Sequence, residues 1–482
     1  MKPLRLSEIV RRDVASDPVI TGVTSDSRRV GEGTLFAALP GARADGRAFI
    51  PQALSQGAAA VLAPADTPED AAPLLVKSGD VRRAYALAAR AFYGDQPRTC
   101  VAVTGTNGKT SVATFCRQIW TRLGRKAASM GTLGVTAGDE ALTGPGLTSP
   151  DAADAARLLA ELADRGVTHL ALEASSHGID QRRLDGVTLA AAAFTNLTQD
   201  HLDYHGSMET YRDAKLRLFE QLLPRGRTAV INADSDAYGP FAAAALMSGL
   251  SLFSVGERGR NLSLVGRRLV PEGQRLKVET AEGVREILLP LAGAFQASNA
   301  LVAAGLCVAA GEKADAVLGA LEHIAGAQGR LQHVGRGEHG GEAYVDYAHT
   351  PDGLETVLKA LRPHATGRLV VVFGCGGDRD RGKRPLMGAI AAKHADVVIV
   401  TDDNPRSEDP AEIRKAILVS APGAREIGDR RTAIAEAVRG LRQGDVLVVA
   451  GKGHEQGQIV GETVYPFDDA TEVANALKGE TV

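Results

Sequence analysis

The apolar run Val101-Ala102-Val103 empties directly into Thr104-Gly105-Thr106-Asn107-Gly108-Lys109-Thr110, and from Ser111 apolar residues recur at helical spacing (Ala113, Phe115, Cys116, Ile119, Trp120, Leu123) as far as Gly124. A strand, a glycine-bearing turn and a helix in that order form a cradle for polyphosphate. Glycines let backbone amides approach the anion, and the helix N-terminus favours negative charge. The Lys109 ammonium can bridge terminal phosphates, and the Thr110 hydroxyl can ligate magnesium. The general P-loop pattern asks for glycine at position 103, where this chain has valine. The tighter spacing GTNGKT, framed by strand and helix, therefore points to ATP or a relative of it.

A chain of 482 residues is too long for one core, and its length suggests about three domains. Its 55 basic and 58 acidic side chains nearly cancel, to a net charge of -3. That balance offers no electrostatic case for nucleic acid or a membrane surface, so small-molecule partners are expected. The segment Met1 to Arg12 alternates charge with single apolar residues, and no apolar run approaches the roughly 18 residues of a membrane span. A cytoplasmic protein is the expectation. Four cysteines (Cys100, Cys116, Cys307, Cys375) lie far apart, without metal-ligand or disulfide spacing, and read as buried small hydrophobes.

Residues 1–98 hold short strand-like pieces (Val19 to Thr21, Thr34 to Ala38, Ala59 to Leu62) and a helical stretch from Val81 to Tyr93, closed by the polar break Gly94-Asp95-Gln96-Pro97-Arg98. Beyond it, strand and helix alternate. Ser149-Pro150-Asp151 reads as an N-cap with proline at N1 for a helix to about Arg165, with Gly166 as its stop. Thr168 to Leu172 and Ala190 to Thr195 read as buried strands of a parallel α/β domain. From about Leu331, three apolar strands (Arg368 to Phe373, Asp396 to Thr401, Asp445 to Ala450) end in GCGGDRD, DDNPR and GKGHE. In an open parallel sheet, loops at the carboxyl ends of strands meet at one crevice, so these three are expected to converge. Taken singly, each is also what a solvated turn looks like.

A carboxylate at the end of a strand beside the P-loop strand is where a magnesium ligand belongs, which singles out Glu173 in Glu173-Ala174-Ser175-Ser176-His177-Gly178. The segment from Thr195 to Gly206 is dense in histidine and aspartate for a turn, and one of its histidines could ligate metal. Lys215 falls one turn after Tyr211 on the inward side of a helical stretch from Met208 to Leu223, where an unpaired ammonium is expensive. It either snorkels or does something specific, and spacing does not separate the two.

GTNGKT, EASSHG, NLTQDHLDYHG followed by Lys215, VDYAHTPD at 345–352, GCGGDRDRGKRP, DDNPR and GKGHE stand in one chain in one order. Together they resemble the Mur ligases of bacterial peptidoglycan synthesis, over essentially the whole chain. The likeness is nearest to those members that add meso-diaminopimelate to UDP-N-acetylmuramoyl-L-alanyl-D-glutamate. It implies three α/β domains: 1–98 for the UDP end, a central P-loop ATPase domain at 99–330 with a parallel sheet, and a C-terminal Rossmann-like domain at 331–482 that closes over the site. It implies that ATP phosphorylates the substrate carboxylate and that an amine attacks the acyl phosphate. Thr110, Glu173 and His201 would surround magnesium, joined by Lys215 in carbamylated form, with Lys109 on the phosphates. Asn299, Arg330, Asp346 and His349 would contact nucleotide. Ser25, Ser27, Ala42 and Arg43 would line the uridine pocket, and Thr148, Ser149, Ser175, Gln181 and Arg183 would hold the muramoyl dipeptide. Gln199 stands where many relatives have arginine, and Leu147 where some have asparagine. A monomer is expected.

Meso-diaminopimelate is lysine with an added carboxylate. A buried guanidinium pairs with that carboxylate in two bonds and is left unpaired opposite lysine, so Arg406 is expected to select the diacid. Arg379, Asp403, Asn404, Pro405, Gly451 and Glu455 would complete the pocket. The rivals are the same ligase acting on L-lysine, which DNPR disfavours, folylpolyglutamate synthase, and a nucleotide-dependent switch without ligation chemistry.

Overall fold

The computed structural model describes residues 4–41, 44–144, 146–270 and 272–479. The chain is mixed α/β with parallel sheets, as anticipated. It packs as two compact units, Met1–Ser263 with Val302–Val317, and Leu264–Leu301 with Leu318–Val482.

In the first unit, the strands Gly22–Thr24, Thr34–Ala37, Ala58–Pro64 and Leu75–Ser78 form a parallel four-stranded sheet. The helix Val81–Tyr93 starts where Asp80 accepts from Arg83 N and buries Val81, Tyr85, Ala86, Ala88, Ala89 and Phe92. Its apolar face shares one core with Ala152, Ala153 and Ala156 of the helix Ala152–Asp164. The supposed linker is held down: Gln96 Nε2 donates to Thr188 O at 2.8 Å and its Oε1 accepts from Thr188 N at 3.0 Å.

The larger sheet of this unit puts the fully buried strand Thr99–Thr104 between His169–Glu173 and Ala191–Phe194, all parallel. Strands Ala127–Gly131 and Thr228–Asn232 extend it in parallel on either side. Three strand ends, at Thr104, Glu173 and Phe194, therefore open on the same edge. The helix Lys109–Arg122 follows from Gly108 and buries Val112, Phe115, Ile119 and Trp120, each contributing roughly 1.5–3 kcal/mol. One reading needs correcting. Asp151, not Ser149, caps the helix Ala152–Asp164, accepting from Ala153 N at 3.0 Å. Ser149 is instead buried and donates to Glu173 O at 3.1 Å. The stretch from Met208 is α-helical only to Arg217 and then widens to a π-helix over Leu218–Leu222.

In the second unit, a six-stranded sheet runs Gln332–Arg336, Glu342–Asp346, Val446–Ala450, Leu369–Phe373, Val397–Val400, Arg425–Glu426, parallel after the first pair. Asp346, Ala450, Phe373 and Val400 pair across it, so the loops that follow them leave from one edge. Beneath two of these loops lies a fully buried ion pair, Arg430 Nη2 to Asp469 Oδ2 at 2.7 Å. Arg430 Nη2 also donates to Ala450 O at 3.0 Å and Nη1 to Asp402 O at 3.4 Å. Asp469→Ala would leave a buried guanidinium uncompensated. We expect it to lose about 3–5 kcal/mol, seen as a lower urea midpoint at unchanged slope. A loss below about 1 kcal/mol would mean the pair does not hold the loops.

Candidate active site

At the P-loop, two glycine positions set the geometry. Gly105 has φ 147°, and a Cβ there would strike Thr195 Oγ1. Gly108 turns the chain into the helix at φ 89°, a conformation costly for any L-residue with a side chain. Thr195 Oγ1 donates to Asn107 O at 2.6 Å and Asn196 Oδ1 accepts from Asn107 N at 2.9 Å, so the segment after the third strand grips the loop. Thr106 Oγ1 donates to Thr198 O at 3.1 Å.

Two lysines meet on one carbonyl. Lys109 Nζ donates to Gly105 O and Thr106 O, both at 2.8 Å, and Lys215 Nζ donates to Gly105 O at 2.9 Å. Lys215 is 1% exposed and lies 4.3 Å from the centroid of the Tyr211 ring. Burial, and after it the charge of Lys109, pushes its amine well below the ordinary lysine value, which favours the neutral form. The inward lysine is thus a built feature and not a snorkelling one.

Thr110 Oγ1 donates to Glu173 Oε2 at 3.1 Å. Glu173, 3% exposed, is aimed by Thr132, whose N donates to Oε1 at 2.9 Å and whose Oγ1 donates to Oε2 at 3.2 Å. A hydroxyl and a carboxylate side by side at a helix N-terminus are the hard oxygen donors magnesium prefers, so these two residues fit that ion. His201 takes φ 53°, its side chain is half exposed, and its ring lies 4.8 Å from His177 and 6.3 Å from Tyr211. Among the described residues, no group of three or more His, Cys, Asp or Glu side chains gathers as a metal site.

The residues expected on the muramoyl dipeptide form one network. Thr148 Oγ1 is 2.9 Å from Thr132 Oγ1, and Ser149 Oγ is 3.0 Å from Ser175 Oγ. Arg183 donates to Ser149 O and to Gln181 Oε1, both at 2.7 Å, and Gln181 Nε2 donates to Tyr204 OH at 3.1 Å. Ser25 Oγ reaches Asp151 Oδ2 at 3.3 Å, and Ser27 Oγ reaches Gln52 Oε1 at 3.1 Å. Ala42 and Arg43 lie outside the described residues.

In the second unit, Asn299 is buried with its Nδ2 3.4 Å from Gln296 Oε1, and Gln296 in turn donates to Arg330 O. The Arg330 guanidinium lies 4.4 Å from the Tyr347 ring centroid. Asp346 accepts from Leu331 N at 2.6 Å and Ala348 N at 2.7 Å, and burial pushes its carboxyl up to about 6. His349 is exposed and its Nδ1 is 2.9 Å from Tyr347 O.

The amino-acid loops do converge. Arg406, at φ 52°, donates from Nη1 to Gly377 O at 2.9 Å and to Asn404 O at 3.4 Å. Its backbone is pinned by Ile459 O and Gly461 N, so the ribbon Gly457–Val460 with Thr463–Pro466 holds the DNPR loop. Asn404 Nδ2 donates to Glu455 Oε2 at 2.8 Å. Asp403 and Pro405 are buried, and a Cβ on Gly451 would come within 2.7 Å of Asp403 Oδ2. Arg379 is exposed, its Nη1 on Asp378 O. Sequence reasoning missed Thr132, Lys452 and the Arg430–Asp469 pair. Each acts through a partner far along the chain, and only the position of Lys452 in GKGHE hinted at it.

A P-loop held beside a buried lysine, in a parallel α/β unit, together with a sheet that gathers its loops at one edge, defines a nucleotide-using ligase scaffold. The chain belongs to the Mur ligase family. Residues 19–101 match the Mur ligase family catalytic domain, 103–307 the Mur ligase middle domain, and 329–453 the Mur ligase glutamate ligase domain. The chain is 68% identical over 480 residues to a UDP-N-acetylmuramoyl-L-alanyl-D-glutamate--2,6-diaminopimelate ligase from Caulobacter vibrioides, covering 98% of this chain and 99% of that one. It is 55% identical over 468 residues to the enzyme of the same name from a Chelativorans species, with 97% of each chain covered. A solved structure of a ligase of that name superposes with a TM-score of 0.75 at 33% identity, covering 99% of both chains.

Proposed function

We propose that this protein is an ATP-dependent amide ligase that joins meso-2,6-diaminopimelate to the D-glutamate of UDP-N-acetylmuramoyl-L-alanyl-D-glutamate in peptidoglycan precursor synthesis. The observation that carries the reading is the buried Lys215 amine beside Lys109 on the Gly105 carbonyl, an arrangement that phosphate binding alone does not need.

The P-loop amides and Lys109 bind and orient the terminal phosphates of ATP. The substrate carboxylate oxygen attacks the terminal phosphorus and ADP leaves. The amine of the incoming amino acid then attacks the acyl phosphate, forming the amide and releasing phosphate. A carboxylate is a poor acyl donor, and phosphorylation supplies its leaving group. Magnesium held by Thr110 and Glu173, with His201, would offset the charge of two anions meeting. Lys215 is carbamylated in this reading. Burial, which depresses its amine, favours the neutral form that reacts with carbon dioxide with loss of a proton, and the product would be an anionic group for the same ion. Thr148, Ser149, Ser175, Gln181 and Arg183 would hold the muramoyl dipeptide, and Ser25 and Ser27 the uridine side. Asn299, Arg330, Asp346 and His349 would contact nucleotide. Arg379, Asp403, Asn404, Pro405, Arg406, Gly451 and Glu455 would receive the diacid.

We place the domain boundaries at 1–98, 99–330 and 331–482, which the three family matches support. The protein would work as a cytoplasmic monomer. Among the described residues, no helix is long and apolar enough to cross a membrane.

The test is ADP release with ATP, magnesium and the UDP-linked dipeptide, given meso-diaminopimelate or L-lysine in parallel. Release with the diacid alone is expected. Release with lysine would overturn the Arg406 assignment, and release with neither would overturn the ligase reading.

A further inference from the structure

We propose that Lys452 is a positioning residue for the incoming amino acid, setting the pose of Asn404 and Glu455; the inference rests on the reading of that pocket above. Lys452 leaves the end of the strand Val446–Ala450 and is 0% exposed. A lysine is almost never fully buried unless paired, because an ammonium stripped of water needs its hydrogen bonds replaced. Here Nζ donates to Asn404 Oδ1 at 2.9 Å and to Glu455 Oε2 at 3.2 Å.

The consequence for Asn404 is orientational. Its Oδ1 receives Lys452 Nζ and also Ile459 N at 2.9 Å. Flipping the amide would set its NH2 against an ammonium and a backbone N–H, so the flip is closed off. The Nδ2 group is thereby committed to Glu455 Oε2, at 2.8 Å. Among the described residues, both donors to Glu455 fall on Oε2, which leaves Oε1 to meet an ammonium of the diacid. Glu455 thus serves two cations, one buried and one arriving, on separate oxygens. A lysine needed only for packing would not spend its donors on two residues of one ligand pocket.

The experiment starts from ADP release by the wild-type protein with meso-diaminopimelate; no release there would bring down the pocket reading, and this proposal with it. Given release, Lys452→Met is expected to raise the KM for the diacid by about tenfold or more, with the KM values for ATP and the UDP-linked dipeptide within about twofold. In a Glu455→Gln background, the same change is expected to add less than about threefold, because the residue acts through Glu455. A lowered melting temperature with unchanged diacid KM would overturn the proposal, as would equal fold-changes in both backgrounds. If Lys452→Met does not fold, Lys452→Gln, which keeps a neutral donor toward Asn404 and loses the charge beside Glu455, is expected to raise the diacid KM by a smaller factor, about threefold or more, with the same refutations.

Discussion

Lys109→Met is expected to lower ADP release at saturating substrates by on the order of a thousandfold, with a melting temperature near that of the wild type. The side chain donates to two loop carbonyls, Gly105 O and Thr106 O, and is only partly buried. Methionine keeps its apolar stem, so little folding energy is lost. What disappears is a fixed positive charge where negative charge builds up during phosphoryl transfer. That loss falls on kcat, since the interaction is strongest in the transition state. A loss below about tenfold in single-turnover ADP release would remove Lys109 from the phosphate site.

The second large effect is on selectivity. Arg406→Gly is expected to cut kcat/KM for meso-diaminopimelate by on the order of a hundredfold to a thousandfold, and to leave L-lysine little changed or improved. Glycine is the cleaner choice than alanine because Arg406 sits at φ 52°, where any side chain carries a backbone cost. The guanidinium is anchored by Nη1 on Gly377 O and Asn404 O. Among the described residues, Nε and Nη2 remain for a ligand carboxylate. The wild-type site therefore penalises lysine by leaving a charge unanswered, and deleting the charge removes the penalty. If competition assays show the ratio between the two amino acids unmoved, the diacid is chosen elsewhere.

Much of the scaffold was legible because its signals are local. Strand, glycine turn and helix around Gly105 follow each other within one stretch of chain, and the three C-terminal loops each end a plainly apolar strand. The inward place of Lys215, one turn after Tyr211, was legible for the same reason, but spacing left open whether its amine snorkels to solvent, and only its 1% exposure decides that. The cap at Asp151 was misread because Ser149-Pro150 also makes a good local start. The choice was settled by a distant group, the Glu173 carbonyl that takes the Ser149 hydroxyl. Thr132, 41 positions from Glu173, and Arg430, 39 positions from Asp469, have no local periodicity to betray them. Lys452 looks like a solvated turn lysine until Asn404, 48 positions away, is seen to accept from it.

The four cysteines are all buried, and burial pushes the thiols of Cys100 and Cys375 up to about 12. Thiolates attack alkylating dyes and thiols do not. A cysteine introduced on an exposed position such as Val419, 79% exposed, would therefore be the reactive one under mild labelling. Fluorescent or spin probes can be attached to this protein with its native sulfur chemistry left in place.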